Sequence, residues 1–217
     1  MSKTALPWRT TLAGLILLAG SMLLAAPFID GAQAASDEDP NWPCIQRKVP
    51  EVSAGMVWAG PPVEELGADW RSDIEVSQLA GTISRRAVSL EEARKTIADF
   101  AAGIEADRNA KLTKLFAGTL TVINKERSEI IEGIRRYSRR QAALAKRIEE
   151  KTAAFNQLTS ADDEEQKAKR AELQEQILWD SRIYDEREQS LTYVCEQPVL
   201  LEQRIFALSR EIMNHLE

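Results

Sequence analysis

Side chains that commonly carry out catalysis or bind metals are scarce in this sequence. The 217 residues include one histidine, His215, and two cysteines, Cys44 and Cys195. This inventory excludes a multi-histidine metal centre, a four-cysteine zinc site and a Cys-x-x-Cys redox pair. A Ser-His-Asp site would have to use His215, the third residue from the C-terminus. We therefore predict no catalytic residue, no metal site and no cofactor.

Acidic side chains form two runs, at residues 37–39 and 162–165. Neither run has the spacing and the glycine of a calcium loop, so we interpret them as a solvated tail and a helix start. Paired carboxylates on a solvated helix also lack the pocket that separates the pKa values of an acid and a base. The formal net charge of -6 argues against a nucleic-acid partner.

The N-terminal 34 residues have the pattern of a signal peptide. Lys3 and Arg9 precede an uncharged stretch, residues 10–29, and an Ala-Gln-Ala site follows at residues 32–34. We predict cleavage after Ala34, with an uncleaved inner-membrane anchor as the alternative. Either way, the rest of the chain would lie outside the cytoplasm, which in a Gram-negative cell is the periplasm.

An exported chain with two cysteines favours a disulfide, which we predict between Cys44 and Cys195. An intermolecular bridge and a free thiol are the alternatives. Cys44 lies in residues 35–69, where frequent proline and glycine predict an extended tail rather than long helices. Because this tail also contains Trp42 and Trp58, we expect it to dock on the helical body that follows.

The rest of the sequence predicts an all-α fold. Residues 70–87 suit a short helix and a loop, and Ser89 with Glu92 forms a capping box. No proline occurs between Ser89 and Leu158, which allows one uninterrupted helix there. Residues 88–217 are predicted to form a long helical hairpin.

The hairpin prediction depends on a seven-residue repeat of apolar residues typical of a coiled coil. The repeat runs from Phe116 to Leu158 and resumes from Leu173 to His215, with candidate capping residues at 159–163. An antiparallel register with its turn near 159–163 places Gln141 opposite Asp180 and Tyr137 opposite Tyr184. We expect Pro198 to kink the second helix without ending it.

Two surfaces of the hairpin are candidates for binding. At its base, the second helix carries an extra apolar stripe of Val199, Phe206 and Met213, which we expect Trp42 and Trp58 of the tail to cover. In the distal half, Leu178, Trp179 and Ile183 form an apolar patch on a charged surface, a composition found at protein interfaces. The alternative is that Trp179 simply covers Ala142 and Ala143.

These patterns predict an exported, non-enzymatic interaction protein: a coiled-coil scaffold or accessory subunit of a complex in the cell envelope. Its partner would be another envelope protein, and a homodimer is a further option. The alternative function is a holdase-type chaperone that binds unfolded clients in the apolar grooves of the base.

Overall fold

A computed structural model describes residues 39–158 and 163–217. Every regular element in these ranges is a helix: α1 (Ala54–Val57), α2 (Val63–Leu66), α3 (Ile74–Ser84), α4 (Leu90–Ala102), α5 (Arg108–Gln157) and α6 (Glu164–Met213). The two long helices, α5 and α6, pack against each other as a helical hairpin. The all-α class and the hairpin are therefore confirmed. The predicted signal peptide lies outside the described residues.

The ends of α5 and α6 flank the predicted turn at residues 159–163. The Asp163 carboxylate accepts a hydrogen bond from the amide of Gln166 at 2.8 Å. Glu164 and Glu165 follow in the first turn of α6, where negative charge stabilises a helix N-terminus. Residues 159–162 lie outside the described ranges. Further along, α6 continues through Pro198 as one helix.

The structure differs from the prediction of one helix from Ser89 to Leu158. Helix α4 ends at Ala102 with Gly103 as its C-cap, and α5 begins after Asp107, which adopts a left-handed conformation (φ 54°, ψ 37°). The break has a physical reason, because it lets α4 fold back and pack against α6. Three residues of α4 become buried by this packing: Ala93, Ile97 and Ala101.

The base of the molecule is a four-helix core formed by α3, α4, the first part of α5 and the last part of α6. Helix α3 packs on α5, and α4 packs on α6. The fully buried residues that α5 and α6 contribute to this core are Leu112, Leu115, Phe116, Ile123, Leu201, Ile205, Leu208 and Ile212. This covering of the base by the preceding helices explains the extra apolar residues of both long helices at this end.

Beyond the base, the two long helices extend with little other support. We call residues 130–157 of α5 and 164–194 of α6 the arm. Within the arm, the buried residues are Ile131, Ile134, Leu144 and Asp180, and most other side chains are exposed or half-buried. Burial in the arm is thus concentrated where α5 faces α6.

The tail, residues 39–69, is less extended than predicted. It contains the single-turn helices α1 and α2, the second of which begins directly after Pro62. Proline suits this position because its fixed φ is compatible with a helix start and its missing N–H needs no partner there. Val52 and Val57 of the tail are buried in the core of the base.

Candidate functional site: the docked tail and the arm

The predicted disulfide between Cys44 and Cys195 is present, with the two Cα atoms 5.6 Å apart. No free cysteine remains, so the intermolecular and free-thiol alternatives do not apply. The bridge joins the tail to α6 and closes a loop across 151 positions of the sequence. It therefore fastens the N-terminal part of the tail to the helical hairpin.

Polar contacts dock the tail on α5 on both sides of Pro50. Asn124 accepts a hydrogen bond from the amide of Val52 and donates one to its carbonyl, both at 2.9 Å. Nearer the N-terminus, the carboxylate of Asp39 forms ion pairs with Lys48 and with Arg135 of α5, each at 2.7 Å. The hydrogen bonds from Lys48 and from the Asn41 amide lower the pKa of Asp39 to about 2, so its charge is held at neutral pH.

A buried arginine in the interface between α5 and α6 also binds the tail. Arg127 is 2% exposed and donates hydrogen bonds to the carbonyls of Pro198 at 3.2 Å and Pro50 at 3.4 Å. Its guanidinium also pairs with Glu202 at 3.4 Å. Burial lowers the pKa of Arg127 from its ordinary value, and the charge of Glu202 opposes that shift. The tail, α5 and α6 thus meet at one side chain.

A second buried arginine was not anticipated from the sequence. Arg204 of α6 donates two hydrogen bonds to the carbonyl of Ile83, at 2.6 and 3.0 Å. Ile83 lies in the last turn of α3, where helix carbonyls have no partner within the helix. Arg204 therefore caps α3 and fixes its end against α6. The only sign of this role in the sequence is that Arg204 directly precedes Ile205, a member of the apolar repeat.

The predicted groove at the base is partly assembled. Trp58 stacks on Phe116 with ring centroids 4.2 Å apart, and the amide of Ala59 lies 3.3 Å from the sulfur of Met213. Trp58, Phe206 and Met213 line the same shallow groove. Trp42 and Val199 are half-buried elsewhere, and the indole N–H of Trp42 donates to the carbonyl of Gln46 at 2.7 Å. The tail therefore occupies this side of the base.

Polar residues connect the two helices of the arm. The buried carboxylate of Asp180 accepts hydrogen bonds from Arg147, at 2.9 and 3.0 Å, and from Lys151, at 2.8 Å. These hydrogen bonds, that from Arg147 first, lower the pKa of Asp180 from its ordinary value. Other charged residues of α5 pair with the tail or within α5: Arg135 pairs with Asp39 and Glu132, and Lys146 pairs with Glu150.

Two hydrogen bonds across the arm reach residues about one helical turn away from the predicted partners. Gln141 donates to the carbonyl of Tyr184 rather than facing Asp180, and Tyr137 donates to the carbonyl of Arg187 rather than facing Tyr184. Helical side chains lean toward the N-terminus of their own helix, so a long side chain reaches a residue beyond the one at its own level.

The predicted contact patch is on the surface of the arm. Leu178 is 62% exposed and Trp179 is 61% exposed, while Ile183 is half-buried. Leu178 and Trp179 line an open groove together with Lys151, Glu175, Gln176, Asp180 and Arg182. Ala142 and Ala143 are themselves exposed, so Trp179 does not cover them as the alternative interpretation required.

Within residues 39–158 and 163–217, no three His, Cys, Asp or Glu side chains are grouped as a metal site would need. His215 lies 3.1 Å from the carboxylate of Glu211 in the last turn of α6. No helix within these ranges combines the length and apolar content needed to cross a bilayer.

Comparison with known proteins finds no match to this chain among protein-family models, curated proteins or solved structures.

Proposed function

We propose that this protein is an exported, non-enzymatic interaction protein. Its base and tail form a fixed platform, and its arm, an antiparallel coiled coil, binds a protein partner in the cell envelope, the periplasm of a Gram-negative cell. The observation that carries the proposal is the exposure of Leu178 and Trp179, both above 60%, on a slender two-helix arm.

The contacts between α5 and α6 support the antiparallel arrangement of the arm. Arg127 contacts Pro198, Gln141 contacts Tyr184, and Arg147 contacts Asp180. Residue numbers thus rise along α5 as they fall along α6. A seven-residue repeat on both helices with this order of contacts is what an antiparallel coiled coil requires.

The disulfide supports export. Disulfides form and persist in oxidising compartments and are rare in the cytosol of most cells. The Cys44–Cys195 bridge and the signal-peptide pattern of residues 1–34 therefore point independently to the same side of the membrane.

The exposed tryptophan supports partner binding. Large aromatic side chains are costly to leave in water, and tryptophan is enriched where protein interfaces derive most of their binding energy. Trp179 lies beside the charged side chains of Lys151 and Arg182, so the groove has an apolar centre and a polar rim. This composition is typical of a protein interface.

The holdase alternative depends on open apolar grooves at the base. There the tail covers part of the apolar surface, since Val52, Val57 and Trp58 pack against the core, and a shallow groove with Met56 and Phe206 exposed remains. This occupancy favours the arm over the base as the binding surface.

The test compares two aromatic residues of the arm in cells of the source organism. Trp179→Ala should abolish capture of one stoichiometric partner in affinity purification after crosslinking. Tyr193→Ala is the matched control, because Tyr193 is 72% exposed on α6 but lies outside the groove. Helicity should be unchanged in both variants. Equal capture by the two variants, or capture of many unfolded clients, would contradict the proposal.

A further inference from the structure

One part of α5 in the arm carries only basic charge. Between Glu132 and Glu149 the helix contains no acidic residue and six basic residues: Arg135, Arg136, Arg139, Arg140, Lys146 and Arg147. From the first to the last, this run covers about 18 Å of helix. Because the whole chain has a net charge of -6, the concentration of positive charge is a local feature of the arm.

Three of these arginines lie side by side on the part of α5 that is turned away from α6. Tyr137 and Gln141 face α6, because they donate hydrogen bonds to carbonyls of that helix. Two positions along a helix correspond to about 200° of rotation, so Arg139, two positions from each of them, lies on the opposite side. Arg136 is three positions before Arg139 and four before Arg140, which makes the three neighbours. We call the surface formed by Arg136, Arg139 and Arg140 the basic face.

The arginines of the basic face have no direct acidic partner. All three are exposed, and none of them forms an ion pair with another described residue. Arg136 and Arg139 act on Glu132 only by longer-range attraction, since its carboxylate is bonded to Arg135. The other basic residues of the run are paired: Arg135 with Asp39 and Glu132, Lys146 with Glu150, and Arg147 with Asp180.

The surroundings of the basic face suit a lipid surface better than a protein. Among the residues that the structure describes, the exposed large apolar side chains all lie outside α5, and the nearby Ala142 and Ala143 are small. Protein interfaces derive most of their energy from large side chains that fill pockets of the partner. A layer of anionic lipid headgroups instead attracts basic side chains through its negative potential and needs no such anchor.

The N-terminal part of the sequence also favours a lipid partner. The uncharged stretch at residues 10–29, which we predict to enter the bilayer as a signal peptide or an anchor, precedes Asp39, the partner of Arg135. The nine residues between them, 30–38, span at most about 30 Å when extended. Export would therefore bring the basic face close to the lipid surface, whether or not the stretch is later removed.

We propose that the basic face of α5 binds the anionic phospholipid headgroups of a membrane surface. This contact would leave the groove at Trp179 free for a protein. Leu178 of that groove is two positions from Asp180, which binds residues of α5, so Leu178 lies on the side of α6 away from α5. The two binding surfaces thus point in opposite directions, and the lipid contact does not depend on the proposed protein contact.

The base leaves room for the lipid contact when the arm tilts slightly. Gly118 is 18 residues, or five turns, before Arg136 and lies on the same side of α5, where it is covered by Ala80 of α3. Helix α3 raises the base on that side by about 10 Å, and about 60 Å of α5 separates Gly118 from Gln157. A tilt of about 10° therefore lays the arm along a surface, and the long arginine side chains span the remaining gap.

The test uses the exported protein with its disulfide intact and vesicles of phosphatidylcholine, either alone or mixed with phosphatidylglycerol. The wild type should sediment with the mixed vesicles and be released by salt, because exposed charges are screened. Each basic residue near an anionic surface strengthens binding about fivefold. The triple variant with Arg136→Gln, Arg139→Gln and Arg140→Gln should therefore bind about a hundredfold more weakly.

A matched control separates the basic face from a general charge effect. It combines Arg94→Gln of α4 with Lys169→Gln and Arg187→Gln of α6, three exposed residues that form no ion pair with another described residue. The control changes the net charge by the same amount and should bind like the wild type. Both triple variants should keep the helicity of the wild type in circular dichroism.

Chemical modification of arginine by phenylglyoxal, read by mass spectrometry, locates the contact even where residues 10–29 stay in the bilayer. Mixed vesicles should protect the basic face and leave Arg94 and Arg187 reactive, and phosphatidylcholine alone should protect none of these residues.

The inference would be overturned by equal weakening in the two triple variants or by equal protection in the two kinds of vesicle. It would also be overturned if the basic face bound no vesicle and its substitution instead removed a crosslinked acidic protein. Trp179→Ala should bind vesicles like the wild type, so a failure of the lipid contact leaves the proposed function standing.

Discussion

The packing of the base can be tested at Gly118 of α5, which lies against Trp70, just before α3, and Ala80 of α3. A Cβ atom at Gly118 would lie 2.8 Å from Cε3 of Trp70 and 2.9 Å from Cβ of Ala80. Carbon atoms pack best at about 3.5–4.0 Å, so both neighbours would have to move. Trp70 and Ala80 are buried and have little room to do so.

Gly133 provides the control on the same helix. A Cβ there would meet only the guanidinium of Arg136, at 3.8 Å. Alanine is better than glycine by about 1 kcal/mol in a helix interior, so Gly133→Ala should stabilise the protein by about that amount. At Gly118 the same gain is offset by overpacking, which costs about 1–3 kcal/mol. Gly118→Ala should therefore be about 1–3 kcal/mol less stable than Gly133→Ala.

Urea unfolding followed by circular dichroism gives this difference directly, with the disulfide intact in both variants. Because both variants replace glycine by alanine within α5, the gain in helix propensity is the same in each. The remaining difference in the free energy of unfolding is the cost of displacing Trp70 and α3. If both alanine variants gained the same stability, the close approach of Trp70 to α5 would be wrong, and the described docking of α3 on the hairpin would be wrong with it.

Two further predictions concern the bridge and the arm. Cys44→Ser should lower the free energy of unfolding by up to about 5 kcal/mol, the loss of chain entropy expected for a bridge that closes a loop spanning 151 positions. Reductant should lower the melting temperature of the wild type and leave that of Cys44→Ser unchanged. Equal melting of the wild type with and without reductant would contradict a stabilising role of the disulfide. Hydrogen bonds from Arg147 and Lys151 lower the pKa of Asp180, so the folded state binds its proton less readily than the unfolded chain. That stabilisation is present above the unfolded pKa of about 3.9 and is lost as pH falls through the lower folded pKa. The difference in free energy of unfolding between the wild type and Asp180→Asn, measured with urea from pH 7 to pH 3, should therefore shrink below about pH 4. A difference that does not change with pH would contradict the ion pairs of Asp180 with Arg147 and Lys151.

The hairpin and the bridge could be predicted because each depends on a simple constraint. A seven-residue apolar repeat defines which side of a helix is buried, and its interruption at residues 159–163 separates two helices. Only two cysteines exist, so an intramolecular disulfide had one possible pairing. Neither inference required knowledge of distant contacts.

The break between α4 and α5 could not be predicted with the same certainty. Residues 103–107 contain no proline, and their helix-ending role depends on Gly103 as a C-cap and on the left-handed conformation of Asp107. An isolated glycine within a helical pattern can be tolerated or can cap a helix end, and tertiary packing decides between the two here. Burial of Ile97 in the core stabilises the structure in which the chain reverses between α4 and α5.

The candidate binding surface could also be predicted from the sequence, whereas a polar contact that fixes the base could not. The exposed patch at Leu178 and Trp179 could be identified from the sequence because it breaks a charged surface. The role of Arg204 could not, because it depends on the position of the Ile83 carbonyl, which lies 121 residues away in the chain. A hydrogen bond between elements that are distant in the chain has no repeating sequence pattern by which it could be recognised.

Polar residues within the apolar repeat have a common consequence for the hairpin. Arg127 binds the carbonyls of Pro198 and Pro50, and Asp180 binds Arg147 and Lys151. Such groups add little net stability, because removing charges from water offsets most of the attraction. They do penalise any shift of α5 along α6, since a shifted helix would leave them buried without partners. The polar positions therefore fix the position of Trp179 along the arm relative to the base, as the proposed binding of a partner to a rigid surface would require.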